Sequence, residues 1–301
     1  MELVLIVFNQ LLFMIILILI GFLLVKLKLL SNEGANSITN IILYITNPIV
    51  IIGAHISLFD IMKVKKFLIS FLISIFIHAL FILLSKIFKM KDPVDINAAT
   101  ISNSGFIGVP LISATFGEEA VFYLSTFMVI NYFITWTFTV KLYSPNQKNN
   151  LENIIKSPVI VSVFLGWLLF LTQIKLPYFI LTVFNSIKNL NTPLAMFVLG
   201  SYIANIDFAD FQKDVKSLML PTFYKLILFP LIALIVIRYL PDSLNELKAI
   251  NMIAAASPSA INVALFAKKY NADYKKAAKL VCLSTILCII TIPVFVFFLG
   301  L

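Results

Sequence analysis

Two stretches of this chain place polar side chains, glycines and prolines inside otherwise apolar runs. The first reads Asn97-Ala-Ala-Thr-Ile-Ser102-Asn103-Ser104-Gly105-Phe106-Ile-Gly108-Val-Pro110-Leu, and the second Ala254-Ala-Ala-Ser257-Pro258-Ser259-Ala-Ile-Asn262-Val. Pro110 cannot donate a backbone hydrogen bond, and its ring crowds the preceding turn of a helix. Ser257 followed by Pro258 has the form of an N-cap and a first-turn proline, so a half-helix is expected to begin there. The free N–H groups and dipole of such a helix start favour an anion. A bland reading competes with this: a kinked helix whose small residues allow close packing. One such segment would favour the bland reading. Two at matching places favour a binding site.

Other polar residues in the apolar runs admit the same two kinds of role. Lys225 lies about 12 Å, or eight residues, inside the apolar run 217–240. Its ammonium either snorkels to the surface or supplies a positive field to a buried anion. Asn47-Pro48 is echoed by Thr192-Pro193, 145 residues later, and Gly105 by Pro258, 153 residues later. His55 and His78 read as packing and hydrogen-bonding groups ahead of a proton relay. They lie 23 apart, and Cys282 and Cys288 fall elsewhere as core thiols, so no metal site or cofactor is expected. Asn9 and Gln10 are expected to bond between helices, and Glu118-Glu119 to form an exposed turn. HExxH and GxSxG are absent, which speaks against an enzyme. The absence of a P-loop leaves energy coupling to an ion or substrate gradient. No charged pore ring or repeated filter motif points to a channel.

Elements able to hold such residues must be membrane helices. Of 301 residues, 61% are hydrophobic and 12% charged, against roughly 45–50% and about 25% in soluble domains. The mean hydropathy is +1.03. A spanning helix needs about 20 residues, and ten such spans use up the chain. They are expected at 3–25, 35–57, 67–88, 97–117, 120–142, 157–174, 178–204, 217–240, 249–270 and 277–300. The polar stretch 144–156 divides the chain into five-span halves, 1–143 and 157–301. An odd number of spans per half turns the second copy upside down, a recurring plan of secondary transporters. The net charge of +9 reads as loops facing anionic lipid rather than nucleic acid. Of the 23 Lys and Arg, 15 lie in or beside the loops after the odd-numbered spans. That excess places those loops in the cytoplasm and both termini outside the cell membrane.

The motifs carry a family resemblance. Asn103-Ser-Gly-Phe-Ile-Gly-Val-Pro110, followed by Phe116-Gly117-Glu118-Glu119, resembles the fourth-helix pattern of the auxin efflux carrier family, which includes plant PIN proteins and bacterial organic-anion permeases. Ala256-Ser-Pro-Ser-Ala-Ile-Asn262, continuing to Ala267-Lys-Lys-Tyr270, resembles the ninth. Pro193 to Gly200 resembles the seventh, Lys225 with Pro230 the eighth, and Asn131 with Trp136 the fifth. The match runs in order along essentially the whole chain. It implies an all-α protein of ten transmembrane helices in two inverted repeats, similar in plan to bile-acid sodium symporters. Helices 4 and 9 would be broken and crossed, 1, 2, 6 and 7 would form a scaffold, and 3–5 with 8–10 a moving domain. The long cytoplasmic loop of many plant members is absent. The segment 46–57 also lacks the acidic and lysine positions that some plant members carry in helix 2, which argues against auxin as substrate.

The expected substrate site is Asn103, Ser104, Gly105, Pro110, Ser257, Pro258, Ser259 and Asn262, joined by Lys225, Asn47 and Asn131. The expected function is secondary active transport of a small organic anion, most simply a carboxylate, by alternating access. An ion-coupled symporter of a larger amphipathic anion and a channel-like uniporter are the alternatives. Membrane lipid, a Na+ or H+ gradient and a second copy of the chain in a homodimer complete the expected partners.

Overall fold

The computed structural model describes residues 2–146, 151–206 and 208–299. α1 spans Glu2–Lys26. A continuous helix follows, built from α2 (Asn32–Ile41), a π-helical turn (Ile42–Thr46) and α3 (Asn47–Ala54). α4 is Ile61–Ile87. α5 (Pro93–Thr100) ends at a break, after which a π-helical turn (Ser104–Gly108) leads into α6 (Val109–Phe116). α7 (Ala120–Ile134) continues through the π-helical turn Thr135–Thr139 into α8 (Val140–Tyr143). α9 (Leu151–Ile155), α10 (Pro158–Thr172) and α11 (Tyr178–Ala204) follow. α12 (Phe208–Phe223), the π-helical turn Tyr224–Leu228 and α13 (Phe229–Ile237) form one rod. After a 3₁₀ turn come α14 (Asn245–Ala256), a second break, α15 (Ile261–Lys269) and α16 (Tyr274–Phe298).

Six of these helical stretches are long and apolar enough to cross a membrane: Val4–Lys26, Asn32–Ala54, Ile61–Ile87, Ala120–Tyr143, Phe211–Ile237 and Tyr274–Phe298. Ser104–Phe116 and Pro158–Thr172 are shorter apolar helices. α1 shows why water is the wrong solvent, since Leu5, Phe8, Leu12, Phe13, Ile16 and Leu19 all lie exposed on it. The chain is therefore a polytopic helical membrane protein. α11 has the bounds read from the sequence, although the polar residues around Lys188 and Asn189 keep it out of the six apolar stretches.

Other edges moved outward where the chain caps its helices. Asp60 accepts from the Met62 N–H at 2.8 Å, so α4 starts six residues before the expected 67. Asp92 likewise accepts from the Val94 N–H at 2.8 Å ahead of Pro93. α9 was not foreseen, and residues 147–150 of the expected connection lie outside the described residues.

Three of the four π-helical turns precede a proline in the first turn of the next helix: Pro48, Pro110 and Pro230. A proline removes one i→i−4 bond and pushes on the preceding turn, and a widened turn absorbs the misfit without ending the helix. Thr135–Thr139 has no such proline, and nothing in the structure explains its π-helical geometry.

α1 lies directly on α11. A Cβ on Gly21 would sit 2.4 Å from the Phe197 carbonyl oxygen, and one on Gly200 would sit 2.1 Å from that of Ile18. Both glycines are required by this close approach. His55, fully buried, packs against Phe122 with ring centroids 4.6 Å apart and bonds through Nδ1 to the Ile51 carbonyl at 2.8 Å. That is the packing role read from the sequence. A polar net ties α4, α7 and α14 together. Ser74 donates to Asn251 Oδ1 and Asn251 Nδ2 donates to Ser70, each at 2.9 Å, while Thr126 lies 3.0 Å from Ser70.

Candidate functional site

The two breaks meet. Ser102 and Ser259 form an isolated antiparallel bridge in which the Asn103 N–H donates to the Pro258 carbonyl at 2.8 Å and the Ala260 N–H donates to the Ile101 carbonyl at 3.1 Å. The residue types explain the unwinding. Ser102, Asn103 and Ser104 are poor helix formers in succession, and Pro258 holds Ser257 extended at φ −57°, ψ 147°. Backbone at this depth must find partners within the protein. Each break supplies them to the other.

The side chains repeat the exchange. Ser102 Oγ donates to the Ala255 carbonyl at 3.3 Å, and Ser259 Oγ donates to the Ala98 carbonyl at 2.7 Å. Ser102 stands to Ala98 in sequence as Ser259 does to Ala255. Both acceptors lie near the ends of α5 and α14, where carbonyls lack helical partners. The backbone N–H of Ser102 is met by Asn131 Oδ1 at 3.4 Å, and that of Ser259 by Ser284 Oγ at 3.1 Å. Asn131 also donates to the Ser102 carbonyl at 2.8 Å, and His78 Nε2 lies 3.3 Å from Asn131 Oδ1.

Lys225 is fully buried, which removes the snorkelling alternative. Its ammonium donates to Ser102 Oγ at 2.5 Å and to the Ala255 carbonyl at 3.4 Å, and it lies 5.5 Å from the centre of the Phe81 ring. The charge thus sits at the C-terminal end of α14, where the helix dipole is negative. Neither hydrogen-bond partner is a carboxylate. The helix starts that follow the breaks, at Ser104 and Ile261, lie next to the bridge; Asn103 caps the first, and no side chain caps the second.

Around the crossing, several amides are incompletely bonded. Asn103 accepts from the Phe106 N–H at 3.3 Å, yet its buried Nδ2 has no partner among the described residues. Asn47 lies beside Gly105, its Nδ2 3.5 Å from where a Cβ there would be, and its Oδ1 is buried without a partner. Asn191 accepts from Thr46 at 2.6 Å and leaves its Nδ2 unpaired. Buried polar atoms are nearly always paired. The three loose amide atoms belong to α3, α11 and the first break.

Two cavities lie along α11, one at its C-terminal end and one at its middle. One of about 480 Å³ is lined by Asn36, Tyr202, Asn205, Ile261, Lys275 and Cys282, among others. The other, about 340 Å³, includes Gln10, Pro110, Ser113, Lys188, Asn191 and Pro193. Asn191 and Tyr202 are eleven residues apart on α11, about 16 Å along the axis.

Some expectations are corrected. Ser257 is not the N-cap of a half-helix: its Oγ donates back to the Ile253 carbonyl at 2.8 Å and so closes α14, while α15 starts at Ile261 with Ala260 before it and no side-chain cap. Pro258 consequently lies in extended chain, where its carbonyl serves Asn103. Gly105 sits in the π-helical turn and not in the unwound residues, and Pro110 stands in the first turn of α6, lining the smaller cavity. Ser104 is buried in the same π-helical turn. Asn262, in the first turn of α15, is half-buried. Glu118 and Glu119 are exposed as expected, and they pair with Lys188 and Lys63 respectively. Cys282 and Cys288 are free, buried thiols.

Sequence reasoning did not single out Asn191 or Ser284. The offset of 145 residues that links Asn47-Pro48 to Thr192-Pro193 also links Thr46 to Asn191, and these two are hydrogen-bonded to each other. That register was a usable signal. Ser284 offered none, since serine inside an apolar helix is ordinary.

Comparison with known proteins is consistent along the chain. The family model described as membrane transport protein matches residues 6–154 and 148–296. The uncharacterized transporter MJ1031 of Methanocaldococcus jannaschii is 26% identical over 298 residues, covering 93% of this chain and 95% of that protein. The uncharacterized transporter YfdV of Escherichia coli K12 is 25% identical over 226 residues, covering 70% of each.

Proposed function

The chain belongs to the membrane transport protein family, that of the auxin efflux carriers, and from this premise we propose that it is a secondary active transporter of a small organic anion. The observation that carries the reading is the crossing of two broken helices at Ser102 and Ser259, with the start of α15 capped by no side chain and no carboxylate bonded to Lys225. An organic cation would meet no counter-charge there, whereas a carboxylate would meet N–H groups and dipole ends. Asn103 would hold it through the amide Nδ2 that now lacks a partner, with Asn47 beside it at Gly105. Lys225 acts from behind the crossing: it holds the α14 end and Ser102 in place and need not touch the anion.

Ten membrane passes fit the helices, counting α5–α6 and α14–α15 as broken spans and α10 as a short one. The reciprocal bonds of Ser102 and Ser259 and the Thr46–Asn191 contact support an inverted repeat, 1–143 against 157–301. Two separate cavities, one against α15 and α16 and one against α6, support alternating access, with α1–α3, α10 and α11 as scaffold and the remaining helices as the moving part. Under this reading the larger, lysine-rimmed cavity opens to the cytoplasm, both termini lie outside, and a Na+ or H+ gradient supplies any uphill work.

Flux into proteoliposomes of the purified chain tests the proposal, using a panel of carboxylates with and without sodium and pH gradients. Saturable carboxylate uptake that falls in Asn103→Ala supports it. Uptake of organic cations without carboxylates overturns it.

A further inference from the structure

We propose that the smaller cavity is a second carboxylate subsite, in which Lys188 exchanges the carboxylate of Glu118 for that of a substrate moving between the crossing and the Glu118 end of the protein. The inference rests on the anion-transport reading above and adds a site to it. Lys188 and Glu118 form an ion pair at the rim of the cavity that joins α11 to the turn after α6. The two partners are unequal. Lys188 is 12% exposed, with its Cδ 3.2 Å from where a Cβ on Gly53 would be, so its stem lies on α3 and its ammonium is presented to the cavity. Glu118 is 61% exposed and follows Gly117, whose φ of 86° turns the chain out of α6. Releasing an exposed carboxylate to water sacrifices little, because water replaces the partner. Releasing the half-enclosed ammonium sacrifices more.

A second donor lies in the wall of the cavity. Asn191 is 2% exposed, and the hydrogen bond from Thr46 to its Oδ1 fixes which way the amide faces. Its Nδ2 therefore lies on the other side, in a residue that lines the cavity, with no acceptor among the described residues. An ammonium at the mouth and an unpaired amide N–H group just beneath the wall make a carboxylate receptor whose present occupant at the mouth is Glu118. Gln10 and Ser113 on the same wall can each donate or accept to suit a second polar group. The volume of about 340 Å³ is at the small end for ligand pockets, which fits a short mono- or dicarboxylate.

The test uses the full chain in lipid nanodiscs carrying Ser113→Cys as a reporter, modified by the neutral reagent methyl methanethiosulfonate and read at residue 113 by mass spectrometry. Malonate is the probe. Adding Glu118→Gln should lower the malonate concentration needed for protection by roughly tenfold, since the competing carboxylate is gone. Adding Lys188→Gln should abolish protection, and Lys188→Arg should restore it. Protection that is the same in all variants, or absent from Glu118→Gln and Lys188→Arg, overturns the subsite. Malonate uptake by the same preparations separates the two readings. Uptake that depends on Asn103 without protection at residue 113 refutes this subsite alone, whereas protection without any carboxylate uptake supports the subsite and refutes the transport reading.

Discussion

Ser102 and Ser259 hold each other's helices closed: each hydroxyl donates to a carbonyl near the end of the half-helix that precedes the other, at 3.3 and 2.7 Å, and their backbones form the antiparallel bridge between the two breaks. This reciprocity makes irregular backbone tolerable in the middle of a membrane protein. It also makes the two residues unequal under mutation. Ser259→Ala strands one carbonyl, that of Ala98. Ser102→Ala removes a bond to Ala255 and a partner of the buried Lys225 ammonium. Ser102→Ala should therefore lower stability more, by about 1–3 kcal/mol, the range for a buried group left unsatisfied. Thermal unfolding of both variants in detergent checks this, and equal melting temperatures would contradict it.

Lys225 separates function from stability. Lys225→Met keeps much of the side-chain volume and removes a charge that has no carboxylate partner, so stability should stay level or rise. Transport should nonetheless fall at least about tenfold, equivalent to 1.4 kcal/mol, because the C-terminal end of α14 would again offset the positive ends facing the site. Uptake and melting measured on one preparation decide. Retained uptake would show the lysine to be dispensable.

The amides divide into two groups. Asn103 and Asn191 each have an unpaired buried Nδ2, whereas Asn251 bonds through both amide atoms to Ser74, Ser70 and Leu247. Asn103→Ala and Asn191→Ala should reduce transport with little change in melting. Asn251→Ala should lower melting and leave the substrate KM of the folded protein unchanged. The reverse pattern would mean that the loose amides are packing groups.

The α1–α11 seam has no room for a methyl group. A Cβ on Gly200 would fall 2.1 Å from the Ile18 carbonyl oxygen and 2.6 Å from the Phe22 backbone nitrogen. Gly200→Ala must push two helix backbones apart and should destabilise by about 1–3 kcal/mol, as overpacking does. Gly34→Ala, which meets only the ends of the Leu30 and Ser31 side chains, should be mild by comparison. Yields of monodisperse protein after solubilisation compare the two, and similar yields would contradict the close seam.

Much of the fold was legible because hydrophobic runs and prolines act locally. α11 has the bounds that hydropathy gave, Tyr178–Ala204, and the polar segments at Ser102 and Ser257 are the two breaks. What the sequence concealed is pairwise. Ser257-Pro258 has the local form of a helix start, but Ser257 bonds backwards to Ile253 because the extended chain at Pro258 is needed opposite Asn103. Lys225 read equally well as a snorkelling or a field-setting lysine, and the packing of α12–α13 against both breaks, which buries it, excludes the first. Asn191 and Ser284 acquire meaning only from residues far away in the chain, namely Thr46 and Ser259.

The central claim is that the crossing of the two broken helices binds and passes an organic anion. Concentration-dependent uptake of labelled carboxylates into proteoliposomes, compared between the unaltered chain and Asn103→Ala, tests it most directly. The account predicts saturable uptake with a KM raised by roughly tenfold or more in the variant, the loss of one good hydrogen bond to a charged group. Unaltered carboxylate kinetics in Asn103→Ala, or uptake confined to cations, would contradict it.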